Sequence, residues 1–329
     1  MPLMDCTVLV TGAGGFIGSH LVELLAGEKA RVRSFVRYNS RGDYGYLNTL
    51  SDEVHERLEI IQGDLRDVDA VIEAAKDVSV IFHLGAIIPI PYSYIRPREV
   101  METNVMGTLN VVNAARVQGG IRVVHTSTSE VYGTAQYVPI DETHPLQGQS
   151  PYAASKIAAD KIVESYHLSY DLPVVTLRPF NTYGPRQSTR AIIPTLITQA
   201  LTQDQILVGD LTPSRDFNYV ENLAEAFLAA GLSDSAIGEV INVGSGSEVT
   251  VGDLAERILK LTGRDVPLVT DPRRLRPEKS EVRQLLSDAQ KAGRLLEWKP
   301  SVLLDEGLDR TIQWISSNLD RFAPGSYHV

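Results

Sequence analysis

The chain has 329 residues, of which 43% are hydrophobic and 22% are charged. A chain of this length and composition can build a large core and two lobes. The formal net charge is -10 and no block of Lys and Arg stands out, so nucleic acid and anionic membranes are not expected as partners.

Short β-rich runs alternate with helical patterns in the first half of the chain. The runs are TVLVTG (7–12), VRSFV (32–36), LEIIQG (58–63), VSVIFHLG (78–85), IRVVHTS (121–127) and LPVVTLRP (172–179). Helical patterns extend from Phe16 to about Lys29 and over 67–76, 98–118 and 151–170. Unbroken apolar strands that are separated by helices indicate a parallel sheet covered on both faces. The predicted fold class is therefore α/β, a Rossmann-type doubly wound parallel sheet.

The pattern changes after about residue 180. Strands are shorter there, at 205–209 and 238–244, and helical patterns cover 191–202, 221–231, 250–262 and 302–318. This change predicts a smaller, interleaved C-terminal lobe. We expect the larger domain at 1–178 plus about 215–244, and a substrate-binding lobe at about 179–214 and 245–329.

Several features predict a cytoplasmic protein that does not contact membranes. Cys6 is the only cysteine, so no internal disulfide can form. The first residues, MPLMD, lack the basic and apolar parts of a signal peptide. The most apolar stretch, 80–95, contains His83, Pro89 and Pro91, which favours a buried strand and loop over a membrane span.

The run TVLVTGAGGFIGSHL combines a strand, a glycine turn and a helix. The spacing of Gly12, Gly15 and Gly18 lets the backbone turn tightly and approach a pyrophosphate, and the amides of Phe16 and Ile17 follow at the helix start. A glycine triplet alone can be a merely structural turn. This triplet follows the first strand and opens a helix, so the larger domain is predicted to bind a dinucleotide.

The end of the second strand favours NADP as that dinucleotide. An NAD-binding chain usually has an acid there for the adenosine ribose. At this place the present chain has Arg37, Asn39, Ser40 and Arg41. A guanidinium can bind a 2′-phosphate with two hydrogen bonds, whereas an acid would repel it. NAD is the alternative, with both arginines solvated. Asp64 and Leu65, after the third strand, are expected beside the adenine.

Two pairs of residues are candidates for catalysis. Tyr152 and Lys156 form a Y-x-x-x-K pattern on one face of the predicted helix at 151–170. A nearby ammonium is expected to lower the tyrosine pKa from about 10, which would make the phenol an acid or base near neutrality. Thr128 and Glu130 are expected to point the same way while their strand persists, at the edge of the sheet where ligands bind. Taken singly, the Tyr–Lys pair is also typical of a helix surface, and Glu130 of an exposed turn.

The motifs TGAGGFIGSH, TSTSEVYG and SPYAASK, in this order and spacing, resemble the extended short-chain dehydrogenase/reductases that act on nucleotide sugars. The resemblance covers essentially the whole chain. Further similar blocks are HLGA (83–86), NVMGTLN (104–110), RPFNTYGPRQ (178–187), SRDFNYV (214–220) and INVGSG (241–246). Within the family, Thr128-Ser129-Glu130 is similar to the motif of 4,6-dehydratases, whereas epimerases have small residues in place of the last two. The narrower resemblance is to UDP-N-acetylglucosamine 4,6-dehydratases of the legionaminic-acid pathway type, on VRYNSRGDYG, IPIPYSYIRPREV, TSTSEVYGTA, HPLQGQSPYAASK and RPEKSEV.

The resemblance implies a set of site residues. Thr128, Tyr152 and Lys156 match the catalytic triad of the family, and Asn104 is similar to its structural asparagine near the cofactor. By the same resemblance, the cofactor is expected to contact Leu84 and Ala86. The UDP-sugar is expected to contact Ile88, Asn181, Arg186, Arg215 and Arg276, with a salt bridge as the alternative role of each arginine.

The resemblance also implies a reaction. Tyr152 takes the C4 hydroxyl proton while hydride passes to a tightly bound, recycled cofactor. Glu130 then removes the C5 proton with Ser129 positioning it, water leaves from C6, and the hydride returns to C6. The expected product from UDP-N-acetylglucosamine is UDP-4-keto-6-deoxy-N-acetylhexosamine.

Other functions stay open at this point. A UDP-glucuronate decarboxylase also begins with C4 oxidation, a C4 epimerase would leave Glu130 without a task, and a non-catalytic NADP-binding sensor would turn nothing over. The family commonly pairs helices such as 98–118 and 151–170 in a four-helix bundle, so a homodimer is expected. No metal is expected, because the chain has one cysteine and no paired histidine spacing.

Overall fold

A sheet of seven parallel strands forms the centre of the protein. The computed structural model describes residues 3–275 and 277–322. The strands are β1 (Thr7–Thr11), β2 (Arg31–Arg37), β3 (Leu58–Gly63), β4 (Val80–His83), β5 (Arg122–Thr126), β6 (Val174–Pro179), β7 (Asn181–Tyr183), β8 (Ile206–Val208), β9 (Ser214–Tyr219), β10 (Val240–Val243), β11 (Glu248–Thr250), β12 (Leu268–Thr270) and β13 (Gln284–Leu285). The helices are α1 (Phe16–Gly27), α2 (Asp52–His55), α3 (Val68–Ala74), α4 (Ile90–Ile95), α5 (Pro97–Met101), α6 (Gly107–Val117), α7 (Pro151–Tyr170), α8 (Ile192–Thr202), α9 (Val220–Leu232), α10 (Val251–Thr262), α11 (Gln290–Leu296) and α12 (Leu304–Ser316).

The order of the strands explains where a ligand can bind. The sheet runs β10-β6-β5-β4-β1-β2-β3. Strand β1 lies between β4 and β2, with Val10 beside Phe82 of β4 and Ser34 of β2. The strand order reverses between β1 and β4, so the loops that follow these strands diverge and open a crevice at the carboxyl edge. The predicted doubly wound α/β fold is confirmed.

Both faces of this sheet are buried. Val8 and Val10 of β1 lie in one core with residues of α1, α9 and α11, whereas Leu9 lies in the opposite core with residues of α3, α6 and α7. Successive strand residues point to opposite faces, so a strand that is buried on both faces is apolar at every position. This burial is the physical reason for unbroken runs such as VLV in the sequence.

A smaller group of strands completes the fold. Strand β9 pairs antiparallel with β11 and parallel with β7 and β13, and β8 pairs with β12. Their core includes Leu196 of α8, Leu254 of α10 and Leu308 of α12. The sequence pattern did not predict β7 or β9 as strands. The chain returns to the larger sheet with α9 and β10, and the lobe boundaries stay a prediction.

The helical segment before β5 is not a uniform helix. The sequence predicts one helix over 98–118, whereas α5 and α6 are joined by a π-helical turn at Glu102–Met106. Such turns are frequent at functional sites. None of the described helices is both long enough and apolar enough to cross a membrane.

Candidate active site

The glycine turn joins β1 to α1 at the crevice. Gly12 has a positive φ of 71°, and a Cβ atom there would lie 2.9 Å from the Gly85 backbone. A Cβ atom on Gly18 would lie 2.2 Å from the Gly12 carbonyl oxygen. The helix begins at Phe16 after Gly15, with no side-chain cap and no acidic residue in its first turn. The uncapped amides of Phe16 and Ile17 therefore suit a dinucleotide pyrophosphate.

The residues expected at the adenosine end lie on the loops after β2 and β3. Asp64 receives two hydrogen bonds from the Arg66 side chain, at 2.6 and 3.0 Å, and this pairing lowers the Asp64 pKa to about 2. Leu65 is buried and its carbonyl accepts from Asn110 at 2.8 Å. Asn39 is used locally, because its side-chain oxygen accepts from the backbone amides of Arg41 and Asp43. Ser40 and Arg41 are exposed.

Arg37 lies at a pocket beside Glu99, a carboxylate that no sequence pattern indicated. The pocket has a volume of about 410 Å³ and is lined by Arg37, Ala86, Ile87, Ile88, Pro89, Tyr92, Glu99 and Arg190. One Glu99 carboxylate oxygen lies 4.0 Å from the Arg37 guanidinium, and the other accepts a hydrogen bond from the Tyr92 hydroxyl at 2.6 Å. Leu84 follows β4 and precedes the pocket residues 86–89, and its backbone amide donates a hydrogen bond to the Thr11 carbonyl at 3.2 Å.

The catalytic turn, defined here as residues 127–132, follows β5 directly. Strand β5 ends at Thr126, and Ser129–Tyr132 form a 3₁₀ turn. The Thr128 hydroxyl accepts from the Glu130 amide at 3.2 Å, and Ser129 is buried. Strand alternation therefore does not apply to Thr128 and Glu130, because β5 ends before both residues; both residues nevertheless act on the Tyr152 pKa.

Helix α7 brings Tyr152 and Lys156 to this turn, and both side chains are buried. Burial raises the pKa of Tyr152; the Thr128 hydroxyl lowers it by a hydrogen bond, and the charge of Glu130 raises it further. Burial lowers the pKa of Lys156 to about 8, and only the charge of Asp160 raises it. The expected lowering of the Tyr152 pKa is thus wrong: the pKa is raised, with burial of the phenol as the largest cause.

Glu130 and Lys156 carry charges that remain available for a ligand. Across residues 3–275 and 277–322, the Glu130 carboxylate has no ion pair and no side-chain hydrogen bond, and the Lys156 amine donates no hydrogen bond. Glu130 is partly exposed and close enough to Tyr152 to act on its pKa. A phenol, an ammonium and an unpaired carboxylate therefore lie together at the carboxyl edge of the sheet.

Asn104 connects the loop after β4, at Ile87, to helix α7. Its amide group donates to the Ile87 carbonyl at 3.0 Å and to the Ser155 hydroxyl at 2.9 Å, and its oxygen accepts from the Ile87 amide at 2.7 Å. The Ser155 hydroxyl in turn donates to the Tyr152 carbonyl. The Asn104 side chain is thus fully used within the protein, on the π-helical turn, and acts by holding its neighbours in place.

The residues expected at the substrate differ in their surroundings. The Asn181 side-chain oxygen is buried and has no hydrogen-bond partner in the described part of the chain, which fits a ligand contact. Arg215 is buried and pairs with Glu281 at 3.1 Å. Arg186 pairs with Glu23 of α1 at 2.8 Å, so both Arg186 and Arg215 form the salt bridge that was named as their alternative role. Arg276 lies outside the described residues.

A buried ion pair behind Lys156 was missed by sequence reasoning. Asp160 accepts hydrogen bonds from Arg178 at 3.1 and 3.3 Å and from Ser127 at 2.8 Å, and it also contacts His125. The only signal in the sequence is the i, i+4 spacing from Lys156 to Asp160 on α7. In the described ranges, no group of three His, Cys, Asp or Glu side chains could hold a metal ion.

The fold and this site define a class of protein. A glycine turn after the first strand of a doubly wound sheet, with Thr, Tyr and Lys at its carboxyl edge, defines an extended short-chain dehydrogenase/reductase. The GDP-mannose 4,6 dehydratase family model matches residues 9–311. The chain belongs to this family.

Three relatives show which activities similar proteins have. A UDP-glucose 4-epimerase of Mycolicibacterium smegmatis is 34% identical, over 93% of this chain and 97% of its own. A UDP-N-acetyl-alpha-D-glucosaminuronate decarboxylase of Bacillus cytotoxicus is 33% identical, over 93% and 96%. The crystal structure of a dTDP-glucose 4,6-dehydratase from Streptomyces venezuelae with NAD bound has a TM-score of 0.87 and 31% identity, covering 96% of this chain and 98% of that one. The family thus includes epimerases, decarboxylases and dehydratases.

Proposed function

We propose that the protein is a nucleotide-sugar 4,6-dehydratase that acts on UDP-N-acetylglucosamine. The observation that carries this proposal is the unpaired Glu130 carboxylate beside Tyr152. A C4 epimerase needs proton and hydride transfer at C4 alone, so it has no use for a second base. Elimination across C5 and C6 requires one, because the C5 proton must be removed after C4 oxidation.

Each residue of the site has a proposed role in the reaction. Tyr152 accepts the proton of the C4 hydroxyl, and the Thr128 hydroxyl bonds the C4 oxygen. Lys156, as a cation, stabilises the phenolate that Tyr152 must become. A bound nicotinamide supplies a hydride acceptor for C4 and a hydride donor for C6. Glu130 takes the C5 proton, with Ser129 positioning it, and passes that proton to the C6 hydroxyl, which leaves as water. The proton held by Tyr152 then goes to C5 as the hydride enters C6, and a 4-keto-6-deoxy sugar results.

The glycine turn supports a nicotinamide dinucleotide as the cofactor, and NAD is its proposed form. Arg37 alone would favour the 2′-phosphate of NADP, the form that the sequence favoured. The Glu99 carboxylate lies 4.0 Å from Arg37 and would repel that phosphate. It can take the place of the acid that the end of β2 lacks. The NAD in the similar Streptomyces venezuelae structure is consistent with this choice.

The substrate is proposed from chemistry around the crevice and from the sequence segments named above. The unpartnered Asn181 oxygen and the buried Arg215 are proposed to face the polar end of a UDP-sugar. Ile88, which is 61% exposed, is retained from the sequence as a proposed apolar contact to the sugar. Arg276 is retained as a proposed diphosphate contact from the sequence alone.

We also propose a cytoplasmic homodimer. The helical segments 97–117 and 151–170 expose apolar side chains that a second copy could cover. Met106, Val117, Leu168 and Tyr170 are between 47% and 75% exposed. Pairing of these segments from two chains would form a four-helix bundle.

The substitution Glu130→Gln tests the dehydratase assignment. It keeps the size of the side chain and removes the base, so loss of water should fall about 10²–10⁴-fold while C4 oxidation still occurs. Nicotinamide absorbance in a single turnover reports oxidation, and mass spectrometry reports loss of water. Glu164→Gln, on the exposed side of α7 where Glu164 pairs with Lys161, is the matched control and should behave as wild type. Full dehydration by Glu130→Gln would remove Glu130 from the mechanism.

A further inference from the structure

The catalytic turn is held at both of its ends by one buried ion pair. The Ser127 hydroxyl, before Thr128, donates to Asp160 at 2.8 Å. The Tyr132 hydroxyl, after Glu130, accepts from Arg178 at 2.9 Å. Asp160 and Arg178 contact each other at 3.1 Å, and both are about 95% buried.

The same ion pair is connected to the catalytic helix and to two strands of the sheet. Asp160 lies one turn after Lys156 on α7, and Arg178 lies on β6. The Tyr132 hydroxyl donates onward to Asn242 of β10 at 2.7 Å, and the Arg178 guanidinium lies 5.0 Å from the centre of the Tyr132 ring. The turn that carries Thr128 and Glu130 is therefore fixed against the helix that carries Tyr152 and Lys156 through fully buried groups.

A buried ion pair is not a simple source of stability. Desolvation of the two charges offsets most of their attraction, and apolar residues of similar volume often serve a fold equally well. An ion pair that touches both ends of a catalytic turn and the helix of the catalytic lysine has a use that apolar packing cannot supply, namely direction and charge.

We propose that Asp160 and Arg178 form a positioning unit with two tasks. Through Ser127 and Tyr132 the pair sets the distance between the catalytic turn and α7, and through its negative member it keeps the buried Lys156 amine protonated. Both residues act through others and are not expected to touch the substrate.

The electrostatics around Lys156 agree with the second task. Burial lowers the pKa of Lys156 to about 8, and the Asp160 charge opposes that lowering. The other groups facing Asp160 are Arg178, which is always charged, and His125. The pKa of His125 is lowered to about 4 by burial, and that of His83, stacked on it at 5.7 Å, lies well below its usual value for the same reason. Neither histidine titrates near neutrality, so Asp160 is the group that holds the lysine charge.

The tests use C4 oxidation in a single turnover, which dehydratases, decarboxylases and epimerases of this family share. If the dehydratase assignment were wrong, no water would be lost, but C4 oxidation could still be measured. The positioning proposal rests on the proposed function only in that Lys156 acts as a cation. Asp160→Asn should lower the rate constant without changing the half-saturating sugar concentration. It should also move the alkaline fall of the rate to lower pH by about one unit or more. Asp160→Glu, which restores the charge, should return the alkaline fall toward its original position.

The substitution Tyr132→Phe tests the positioning of the catalytic turn separately from the effect of the Asp160 charge on Lys156. It deletes only the hydroxyl that ties Arg178 to the turn, so the rate should fall by up to about 10²-fold with the alkaline fall unmoved. A second measurement needs no substrate: the free energy of unfolding should start to rise with pH at a lower pH in Asp160→Asn than in wild type. This difference should vanish when Lys156 is also replaced by Met. If Asp160→Asn moved neither pH dependence, or if Tyr132→Phe oxidised the sugar at the wild-type rate, the positioning unit would be refuted.

Discussion

Replacement of Lys156 by Met should stabilise the protein while abolishing its activity. Lys156 is 4% exposed and has no hydrogen bond among residues 3–275 and 277–322. Its pKa falls from 10.5 to about 8 on folding. Between these values the unfolded chain binds more protons than the folded chain, so the free energy of unfolding rises with pH in that window.

The expected change in the free energy of unfolding follows from this pKa difference of about 2.5, because each pKa unit corresponds to about 1.4 kcal/mol. Below about pH 8 the folded chain bears the full cost of a buried ammonium, which is about 3 kcal/mol. Met has similar length and no charge, and Asp160 keeps Arg178 as its partner. The variant should therefore gain up to about 3 kcal/mol near pH 7 and less than about 1 kcal/mol near pH 10.

Urea unfolding of cofactor-free protein at several pH values measures this difference. Lys161→Met is the matched control on the same helix, because Lys161 is 62% exposed, and it should change stability by less than about 0.5 kcal/mol at every pH. The reasoning is refuted if Lys156→Met is less stable than wild type near pH 7, or if its stability difference does not change with pH.

Two further predictions concern the cofactor and are measured by titration calorimetry on stripped protein. Gly18→Ala places a Cβ atom 2.2 Å from the Gly12 carbonyl oxygen and should weaken dinucleotide binding about tenfold or more, whereas Gly27→Ala on the same helix meets nothing within 4 Å and should bind normally. Equal binding by both variants would contradict the tight cradle. Glu99→Gln frees Arg37 for a 2′-phosphate, so the ratio of NADP to NAD affinity should rise roughly fivefold; an unchanged ratio would show that Glu99 does not select the cofactor.

Much of the fold could be predicted because its cause is local. A sheet buried on both faces imposes apolar runs, and a phosphate-binding turn imposes glycines at fixed spacing. Strands β7 and β9 were missed because β7 has three residues and β9, with the sequence SRDFNY, is mostly polar, so neither forms an apolar run.

The geometry of the site could be predicted only for residues that lie on the same helix or strand. Tyr152 and Lys156 share a helix, so their spacing shows that they lie together. For Thr128 and Glu130 the argument from strand alternation does not apply, because β5 ends at Thr126 and that end is set by tertiary structure. The direction of the Tyr152 pKa also depends on burial, which no spacing reveals.

The ion pair of Asp160 and Arg178 shows the same limit. The two residues come from α7 and β6, and nothing in either segment indicates that they meet. Arg186 and Arg215 show a related limit, because motifs suggested ligand contacts and only the fold reveals that each also pairs with a carboxylate.

The most direct test of the central claim follows one atom. UDP-N-acetylglucosamine deuterated at C4 is incubated with the purified protein, and the product is analysed by mass spectrometry with fragmentation. The proposed dehydratase should release one water and carry the deuterium at C6. A sugar that keeps all its oxygen atoms, with deuterium still at C4, would contradict the claim. Reaction of GDP-mannose or UDP-glucuronate in its place would then identify a different activity of the same family.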